Sequence, residues 1–222
     1  QPVEREYRVT RQILETLSAC NHPATIVTKG AATIERDLEL LADMASRKLM
    51  AVFISITTLD KNLKRTLEPR AASPAARLAI VRKLTDAKVP VGVMMAPVIP
   101  VLTDHELENI LEASAAAGAK SAGYVMLRLP HDVKELFREW LETHEPLKAA
   151  HVMSRIHELR SGRDNDPRFG TRQSGEGIFA DLFKQRFAVA SRKFGLNREG
   201  RSKLDSTKFV PPVMQGQQMS LL

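Results

Sequence analysis

Met50-Ala51-Val52-Phe53-Ile54-Ser55-Ile56 is a short apolar run with several β-branched residues, and it predicts a buried β-strand. Three comparable runs are expected to form strands over residues 24–28, 91–96 and 122–127. Segments with apolar residues at helical spacing separate the four runs. Continuous apolar strands that alternate with helices are typical of a parallel sheet covered by helices, so the sequence predicts an α/β fold.

Helices are expected around these strands, and some of their ends carry recognisable signals. Ser73 precedes a helix that has Pro74 at its first position, and Asp104 is expected to cap the helix that Gly118 ends. The predicted helices cover residues 5–18, 34–49, 74–87, 105–117, 133–143, 149–160 and 178–194.

Four strands are too few to close a β/α barrel. Either the sheet is open, or it belongs to a barrel whose first strands lie outside this sequence. The pattern changes after Pro146, where the β/α alternation stops and a polar, glycine-containing stretch separates two helices. We therefore predict a β/α unit over residues 1–146, followed over residues 147–222 by a basic helical extension with a flexible tail.

The positive charge of the chain is concentrated in its last third. The 222 residues include 33 Lys and Arg and 26 Asp and Glu, which gives a formal charge of +7. Residues 1–150 hold 20 basic and 19 acidic side chains, whereas residues 151–222 hold 13 and 7, so their net charges are +1 and +6. Such a local excess of positive charge favours contact with an anionic partner.

The composition excludes several kinds of site. A single cysteine, Cys20, cannot form an intramolecular disulfide, a cysteine-rich zinc site or a self-contained iron-sulfur cluster. Cys20 lies in a helix-to-strand connection, away from the strand ends that bind ligands, so a structural role is predicted. The six histidines lack metal-ligand spacing. No run of about 18 apolar residues and no signal-peptide pattern is present, so we expect a cytoplasmic protein without a membrane partner.

Ligands of parallel β/α folds bind at the carboxyl ends of the strands. That rule selects Lys29 after the first strand, Ser55 at the end of the second and Arg128 after the fourth. Lys29 and Arg128 are candidates for holding a carboxylate or phosphate, and Ser55 for holding a ribose. The loop after the second strand brings Glu68 and Arg70 near the same edge. The alternative is that these are ordinary polar loop residues, with Arg70 solvated.

Six stretches together carry a family resemblance. They are IVTKG (26–30), VFISITT (52–58), LEPRAASP (67–74), VGVMMAPVIP (91–100), FREWL (137–141) and RFGTR (168–172). In combination they resemble the radical S-adenosylmethionine (SAM) superfamily, and within it the spore photoproduct lyase-like, DNA repair photolyase-like bacterial branch.

The resemblance implies a partial (β/α)6 TIM-like barrel, of which the four strands here would be barrel strands three to six. It also implies a [4Fe-4S] cluster that takes an electron from a donor protein and cleaves SAM reductively, so that the resulting radical abstracts hydrogen from a substrate. The C-x-x-x-C-x-x-C motif that ligates such a cluster is absent. Its counterpart is expected upstream of Gln1, and this chain alone is expected to be inactive.

Matched position by position, the resemblance assigns roles in SAM binding. Lys29 is similar to the lysine that pairs with the SAM carboxylate, and Ser55 to the serine that binds the ribose. Arg70 is a weaker candidate for the methionyl end of SAM. The backbone segment against the adenine is similar to residues 96–99, from which Ala96, Val98 and Ile99 are taken as candidates.

Two features of the last third suggest partners. Arg163, Arg168 and Arg172 lie among glycines just before a predicted helix, an arrangement suited to contact with the phosphates of DNA or RNA. The alternative is a basic region that only aids solubility. The final residues resemble the bacterial sliding-clamp binding peptide, although an unstructured terminus is the alternative; they are Gln218, Met219, Ser220, Leu221 and Leu222.

Three hypotheses of function follow. The first is a fragment of a lyase-like radical SAM enzyme, for which nucleic acid is a candidate substrate. The second is a non-catalytic β/α scaffold that binds nucleic acid or the sliding clamp through its basic C-terminal region. The third is a complete β/α enzyme that binds a phosphate.

Overall fold

The protein is described here by a computed structural model, which covers residues 2–198 and 203–212. Helices and strands alternate along the first two thirds of the described chain, and helices alone follow. The elements are α1 (Pro2–Tyr7), α2 (Val9–Ala19), β1 (Ala24–Thr28), α3 (Ala32–Arg36), α4 (Leu38–Ser46), β2 (Met50–Ser55), α5 (Lys61–Leu67), α6 (Pro74–Asp86), β3 (Val91–Val98), α7 (Leu107–Ala116), β4 (Ser121–Met126), α8 (Val133–His144), α9 (Pro146–Leu159) and α10 (Gly177–Lys193).

The four strands form one parallel sheet in the order β1-β2-β3-β4, which confirms the predicted α/β fold. Ala24 lies opposite Met50, and Ser55 lies opposite Met94. The register shifts between Met95 and Val98, where β3 has an irregularity. Because all four strands run the same way, their carboxyl ends meet at one edge of the sheet.

Alternation along each strand separates the two faces of the sheet. Val52 and Ile54 of β2 are fully buried in the main hydrophobic core, which the helices complete. Phe53 points to the opposite face, where a Cβ added at Gly92 would lie 2.5 Å from the Phe53 ring. Residue 92 therefore has to be a glycine, because the Phe53 ring of the neighbouring strand occupies the space that a larger side chain would need.

Two predicted helices are each divided in the structure. The helix expected over residues 34–49 is split into α3 and α4 at Asp37, whose buried carboxylate accepts hydrogen bonds from Arg36 and Arg11 at 2.9 and 3.1 Å. The helix expected over residues 5–18 is divided into α1 and α2 at Arg8, which has a φ of 49°. A left-handed residue cannot continue a right-handed helix, so the expected single helix is wrong.

The two predicted helix caps have different outcomes. Ser73 accepts a hydrogen bond from the Ala76 amide at 3.2 Å and Pro74 opens α6, so this cap is confirmed. Asp104 does not cap α7, because it begins a short 3₁₀ turn, Asp104–Glu106, that precedes the helix. The neighbouring Thr103 side chain accepts a hydrogen bond from the Ile99 amide, at 2.8 Å.

The helices after the sheet pack onto it. In α10, Phe183 packs edge-on against Tyr124 of β4, with 5.0 Å between ring centroids. A second apolar cluster lies around the end of β3 and includes Ile99, Phe137 of α8 and Ile156 of α9. The division of the chain at residue 146 remains a prediction about domains.

Among the residues that the structure describes, no helix is long and apolar enough to cross a membrane.

Candidate functional site

A three-residue ion cluster lies at the carboxyl edge of the sheet. Lys29 follows β1, Glu68 follows α5, and Arg77 lies in the first turns of α6. The Glu68 carboxylate accepts from the Lys29 ammonium through one oxygen and from the Arg77 guanidinium, at 2.6 Å, through the other. One carboxylate thereby joins three separate segments of the chain.

Arg77 anchors this cluster to the sheet. Its side chain is 1% exposed, and its Nη1 donates to the Ser55 carbonyl at 2.9 Å while its Nε donates to the Ala72 carbonyl at 2.9 Å. Together with the bond to Glu68, these contacts use all three nitrogens of a guanidinium that would otherwise be buried without partners. Arg77 therefore fixes the end of β2 and the loop before α6 relative to Glu68.

Hydroxyl groups connect the cluster to the end of β3. Thr57 Oγ1 lies 2.9 Å from Glu68 Oε1 and 3.1 Å from the Ala96 carbonyl oxygen, and Ser55 Oγ donates to the same carbonyl at 3.3 Å. A hydroxyl has one proton, so Thr57 donates to one of its two acceptors at a time. The hydroxyls and the Ala96 carbonyl thus form a continuous polar strip from β2 to β3.

The cluster carries a net positive charge. Burial raises the pKa of Glu68, but the hydrogen bonds from Lys29 and Arg77 together lower it by more than burial raises it. The pKa of Glu68 therefore lies below its ordinary value. Glu68 is therefore ionised at neutral pH, and the two cations outnumber it by one. Lys29 is 35% exposed and forms the accessible side of the cluster. Such an arrangement can hold a carboxylate at the exposed ammonium, whereas the strip residues Ser55 and Thr57 are buried, at 5% and 0% exposed.

The structure brings some of the predicted SAM contacts together. Lys29, Ser55 and Ala96 all belong to the cluster or its polar strip. Val98 and Ile99 are fully buried, and they follow Ala96 and Pro97 in the chain.

Arg70 makes no hydrogen bond or ion pair with the cluster residues. It is exposed in the turn before α6, and its side chain makes no hydrogen bond or ion pair with the residues described. Its proposed role at the methionyl end of SAM remains a prediction.

Sequence reasoning missed two buried arginines, Arg77 and Arg160. Arg77 occupies the apolar stripe of α6, where it precedes buried Ile80 and Leu84 at helical spacing, and Arg160 directly follows the buried Leu159 at the end of α9. A charged residue in such a stripe is the signal that could have identified it, because charges are buried only with partners.

The predicted anion-binding arginines are placed differently from one another. Arg168 donates to buried Asp166 and, at 2.8 Å, to Glu176, which stands just before α10. Arg172 lies over the Phe169 ring, 4.7 Å from its centroid, and that ring is 90% exposed. Arg163 is exposed. Among the described residues, Arg172 and Arg163 form no ion pair, so they remain candidates for contact with an anionic partner.

The site residues suit one of the two groups that the sequence resemblance implies, SAM, but not the iron-sulfur cluster. The Lys29 ammonium and the hydroxyls of Ser55 and Thr57 suit the carboxylate and ribose of SAM. A [4Fe-4S] cluster needs several thiolates, but Cys20 is the chain's one cysteine, and it precedes β1 at the other end of that strand. Within residues 2–198 and 203–212, no three His, Cys, Asp or Glu side chains are grouped to hold a metal ion. The residues fit SAM and cannot hold the cluster by themselves.

The clamp-like peptide, Gln218 to Leu222, lies outside the described residues.

Part of the chain is similar in sequence to known proteins. The model of the Radical SAM superfamily matches residues 4–113. An uncharacterized protein of Mycobacterium tuberculosis (strain H37Rv) is 34% identical over 161 residues, which are 72% of this chain and 46% of that protein. An uncharacterized protein of Methanocaldococcus jannaschii is 27% identical over 106 residues, 48% of this chain and 39% of that protein. The matched residues span less than half the length of these two relatives.

Solved structures of spore photoproduct lyase variants have a similar fold. A cysteine-to-serine variant gives a TM-score of 0.55 at 17% identity, covering 83% of this chain and 54% of the lyase. A tyrosine-to-phenylalanine variant gives 0.56 at 16% identity, covering 84% and 54%. The four parallel strands therefore form part of a TIM-like barrel of the kind found in that lyase. Together with the sequence match, this fold shows that the chain belongs to the radical SAM superfamily.

Proposed function

We propose that this chain forms the SAM-binding part of a lyase-like radical SAM enzyme. The observation that carries the proposal is the Lys29–Glu68–Arg77 cluster, which lies at the carboxyl edge of a sheet within the superfamily match. SAM held there would be the source of a 5'-deoxyadenosyl radical, and a reduced [4Fe-4S] cluster would supply the electron that cleaves it. The thiolates for that cluster must come from outside this chain, and a donor protein must supply the electron.

The residues of the chain would act by binding and positioning. Lys29 would pair with the SAM carboxylate, and Ser55 would hold the ribose. Residues 96–99 would border the adenine. Glu68 already orients the Lys29 ammonium, and Arg77 orients Glu68 through its contacts with the backbone. Preorganisation of this kind lowers the entropy cost of ligand binding.

Nucleic acid is the proposed substrate class. The lyase of similar fold is named for a spore photoproduct, and the last third of this chain carries the net charge of +6. The exposed Phe169 ring with Arg172 stacked on it offers an aromatic and cationic surface of the kind on which bases stack. The alternative function is a non-catalytic scaffold that binds nucleic acid, or the sliding clamp through Gln218 to Leu222. A cytoplasmic location belongs to both proposals.

The Lys29→Met variant tests the SAM site directly. Removing the ammonium should weaken SAM binding to this chain about tenfold, because a hydrogen bond to a charged group contributes about 1.5 kcal/mol or more. Isothermal titration calorimetry with SAM measures the change. The matched control is Lys83→Met, since Lys83 pairs with Glu35 on the exposed surface of α6.

Equal SAM affinity in the Lys29→Met variant and in the wild type would overturn the assignment of Lys29. In the longer protein, a reconstituted cluster should allow production of 5'-deoxyadenosine from SAM. A longer protein without C-x-x-x-C-x-x-C cysteines would exclude the catalytic proposal and leave the scaffold.

A further inference from the structure

Arg128 is a cationic side chain near the site that the SAM proposal does not use. It stands two residues after β4, and the preceding Leu127 amide donates to the Val98 carbonyl at 2.9 Å, beside the proposed adenine segment. Its guanidinium is partly buried and makes no ion pair or hydrogen bond with any residue that the structure describes. The Nε atom is fully shielded from solvent and lacks a partner. Buried donors of this kind require an explanation.

A second guanidinium lies against the same stretch of backbone. Arg160 of the segment after α9 is 1% exposed, and its Nη2 donates to the Leu127 carbonyl at 2.7 Å. Its Nη1 donates to the Thr171 and Arg172 carbonyls at 3.1 and 3.0 Å. These acceptors are neutral carbonyls, so they leave the positive charge of Arg160 in place, and its buried Nε has no hydrogen-bond partner among the described residues.

Asp166, the acid whose charge acts on Arg160, already has hydrogen-bond partners of its own. Asp166 is buried, and it accepts hydrogen bonds from the Arg168 amide and guanidinium at 2.8 to 3.1 Å. Thr171 Oγ1 donates to it as well, at 2.9 Å. Burial and the charge of Arg128 lower the pKa of Arg160, and the charge of Asp166 opposes them without cancelling the shift. The end of β4 therefore holds positive charge that the described residues do not neutralise.

We propose that Arg128, with the buried charge of Arg160 behind it, binds a phosphate group at the carboxyl end of β4. A guanidinium fork matches two phosphate oxygens, and the two Nη nitrogens of Arg128, which make no hydrogen bond with any described residue, form such a fork. A phosphate monoester carries about −1.5 to −2 charges near pH 7. That charge balances two guanidinium groups more closely than the single negative charge of a carboxylate ligand would. Resting on the SAM proposal, this site gives the enzyme a phosphate-bearing substrate, held beside the proposed adenine segment.

The test compares phosphate binding by the wild type and by the Arg128→Met variant. Thermal unfolding is followed in rising inorganic phosphate, against sodium chloride at equal ionic strength. Phosphate should raise the wild-type unfolding temperature more than chloride does, because a ligand that binds only the folded state stabilises it. The variant should lose that extra rise, with phosphate affinity reduced at least tenfold. Without phosphate it should be at least as stable as the wild type, since one of two neighbouring positive charges is gone.

Three further measurements make the test specific. Arg65→Met is the matched control, because Arg65 is exposed on α5, and this variant should keep the full phosphate response. Arg128→Lys should retain part of the response. A nucleoside monophosphate and a dinucleoside monophosphate, which has only a diester, identify the source of the phosphate group.

A wild type that responds equally to phosphate and chloride overturns the proposal. An Arg128→Met variant with the wild-type phosphate response overturns it as well, and so does a large loss of stability in that variant without phosphate. The Lys29→Met variant separates the two sites, since it should lose SAM affinity and keep its response to phosphate. A wild type that does not bind SAM but does respond to phosphate would contradict the SAM site and leave the phosphate site standing.

Discussion

Glu68 is the residue on which the geometry of the site depends most. Its carboxylate, 10% exposed, holds the Lys29 ammonium on one side and the buried Arg77 guanidinium on the other. Thr57 bonds to the same carboxylate and leads to β3. Removing Glu68 would leave Arg77 buried with an unbalanced charge and would release Lys29 from its orientation, so stability and ligand binding depend on one group.

The Glu68→Gln variant should lose stability in a pH-dependent manner. Burial raises the pKa of Glu68, and Lys29 and Arg77 lower it more, so the folded-state pKa lies below 4.5. A depressed pKa contributes stability above the unfolded-state value, and this contribution is lost as the pH falls through the folded-state value. The variant should be about 3 kcal/mol less stable at pH 7, and the difference should shrink below about pH 4.5.

Urea unfolding at pH 7, 4.5 and 3.5 measures this difference in unfolding free energy. Glu35→Gln is the control, because Glu35 and Lys83 form an exposed pair that should contribute no more than about 0.5 kcal/mol. A difference between wild type and Glu68→Gln that stays constant from pH 7 to 3.5 would contradict the role of the ionised carboxylate.

Residues of the site differ in how far the sequence identifies them. Lys29 and Ser55 follow from the rule that ligands bind at strand ends, because each directly ends or follows an apolar run. Arg77 does not follow from that rule, since it lies inside a helix. Its contact with Glu68 joins positions nine residues apart and depends on how α5 and α6 pack.

At the scale of elements, α6 presents Arg77 to the site. Ser73 caps the helix, and the Arg77 amide donates to the Ser73 carbonyl at 2.9 Å. The first turn of α6 therefore fixes the position of the Arg77 backbone. Pro74 reinforces this start, because its fixed φ suits the first helical position. The helix N-terminus therefore contributes to the position of the buried guanidinium.

The Ser73→Ala variant should lower the free energy of unfolding by about 1 kcal/mol, because the Ala76 amide loses its side-chain acceptor. Ser73→Asp is the matched control and should keep most of the stability, since aspartate also caps helices. Chemical denaturation of the three proteins measures the effect. An alanine variant as stable as the aspartate variant would show that the cap contributes nothing.

Two elements that the sequence placed wrongly differ from expectation through features that local spacing does not show. Apolar spacing continues through Asp37, yet the helix is divided there, where Arg11 and Arg36 hold the Asp37 carboxylate. Asp104 has the residue type of a helix cap but lies within a 3₁₀ turn. A local signal of this kind is worth about 1 kcal/mol, so the tertiary surroundings can outweigh it.

For the whole molecule, the distribution of charge predicts where nucleic acid would bind. The last third holds the net charge of +6, but its arginines are not equivalent. Arg168 is committed to Asp166 and Glu176, whereas Arg172 stacks on exposed Phe169. An ion-paired arginine has little free charge to offer a phosphate, so Arg172 should contribute more to binding than Arg168.

Single-stranded DNA binding should therefore weaken steeply between 50 and 200 mM salt, values at which counterion release commonly changes affinity. Arg172→Met should reduce affinity and lower the slope of log affinity against log salt by about one, while Arg168→Met should leave the slope unchanged. Fluorescence anisotropy with a labelled oligonucleotide measures both. A slope reduced equally by the two variants would contradict the assignment, and affinity independent of salt would exclude phosphate contact.

By itself, the sequence determined the alternation of helices and strands, the parallel sheet, the sheet edge that carries the candidate residues, and the family. These follow from periodicity, from residue type and from short motifs, all of which act over a few neighbouring positions. Only the tertiary structure decided that Glu68 joins Lys29 to Arg77, and that Arg160 lies against the backbone before Arg128. Those contacts depend on how separate helices pack on one sheet. The pairing of buried charges is set by their three-dimensional surroundings, which local patterns do not encode.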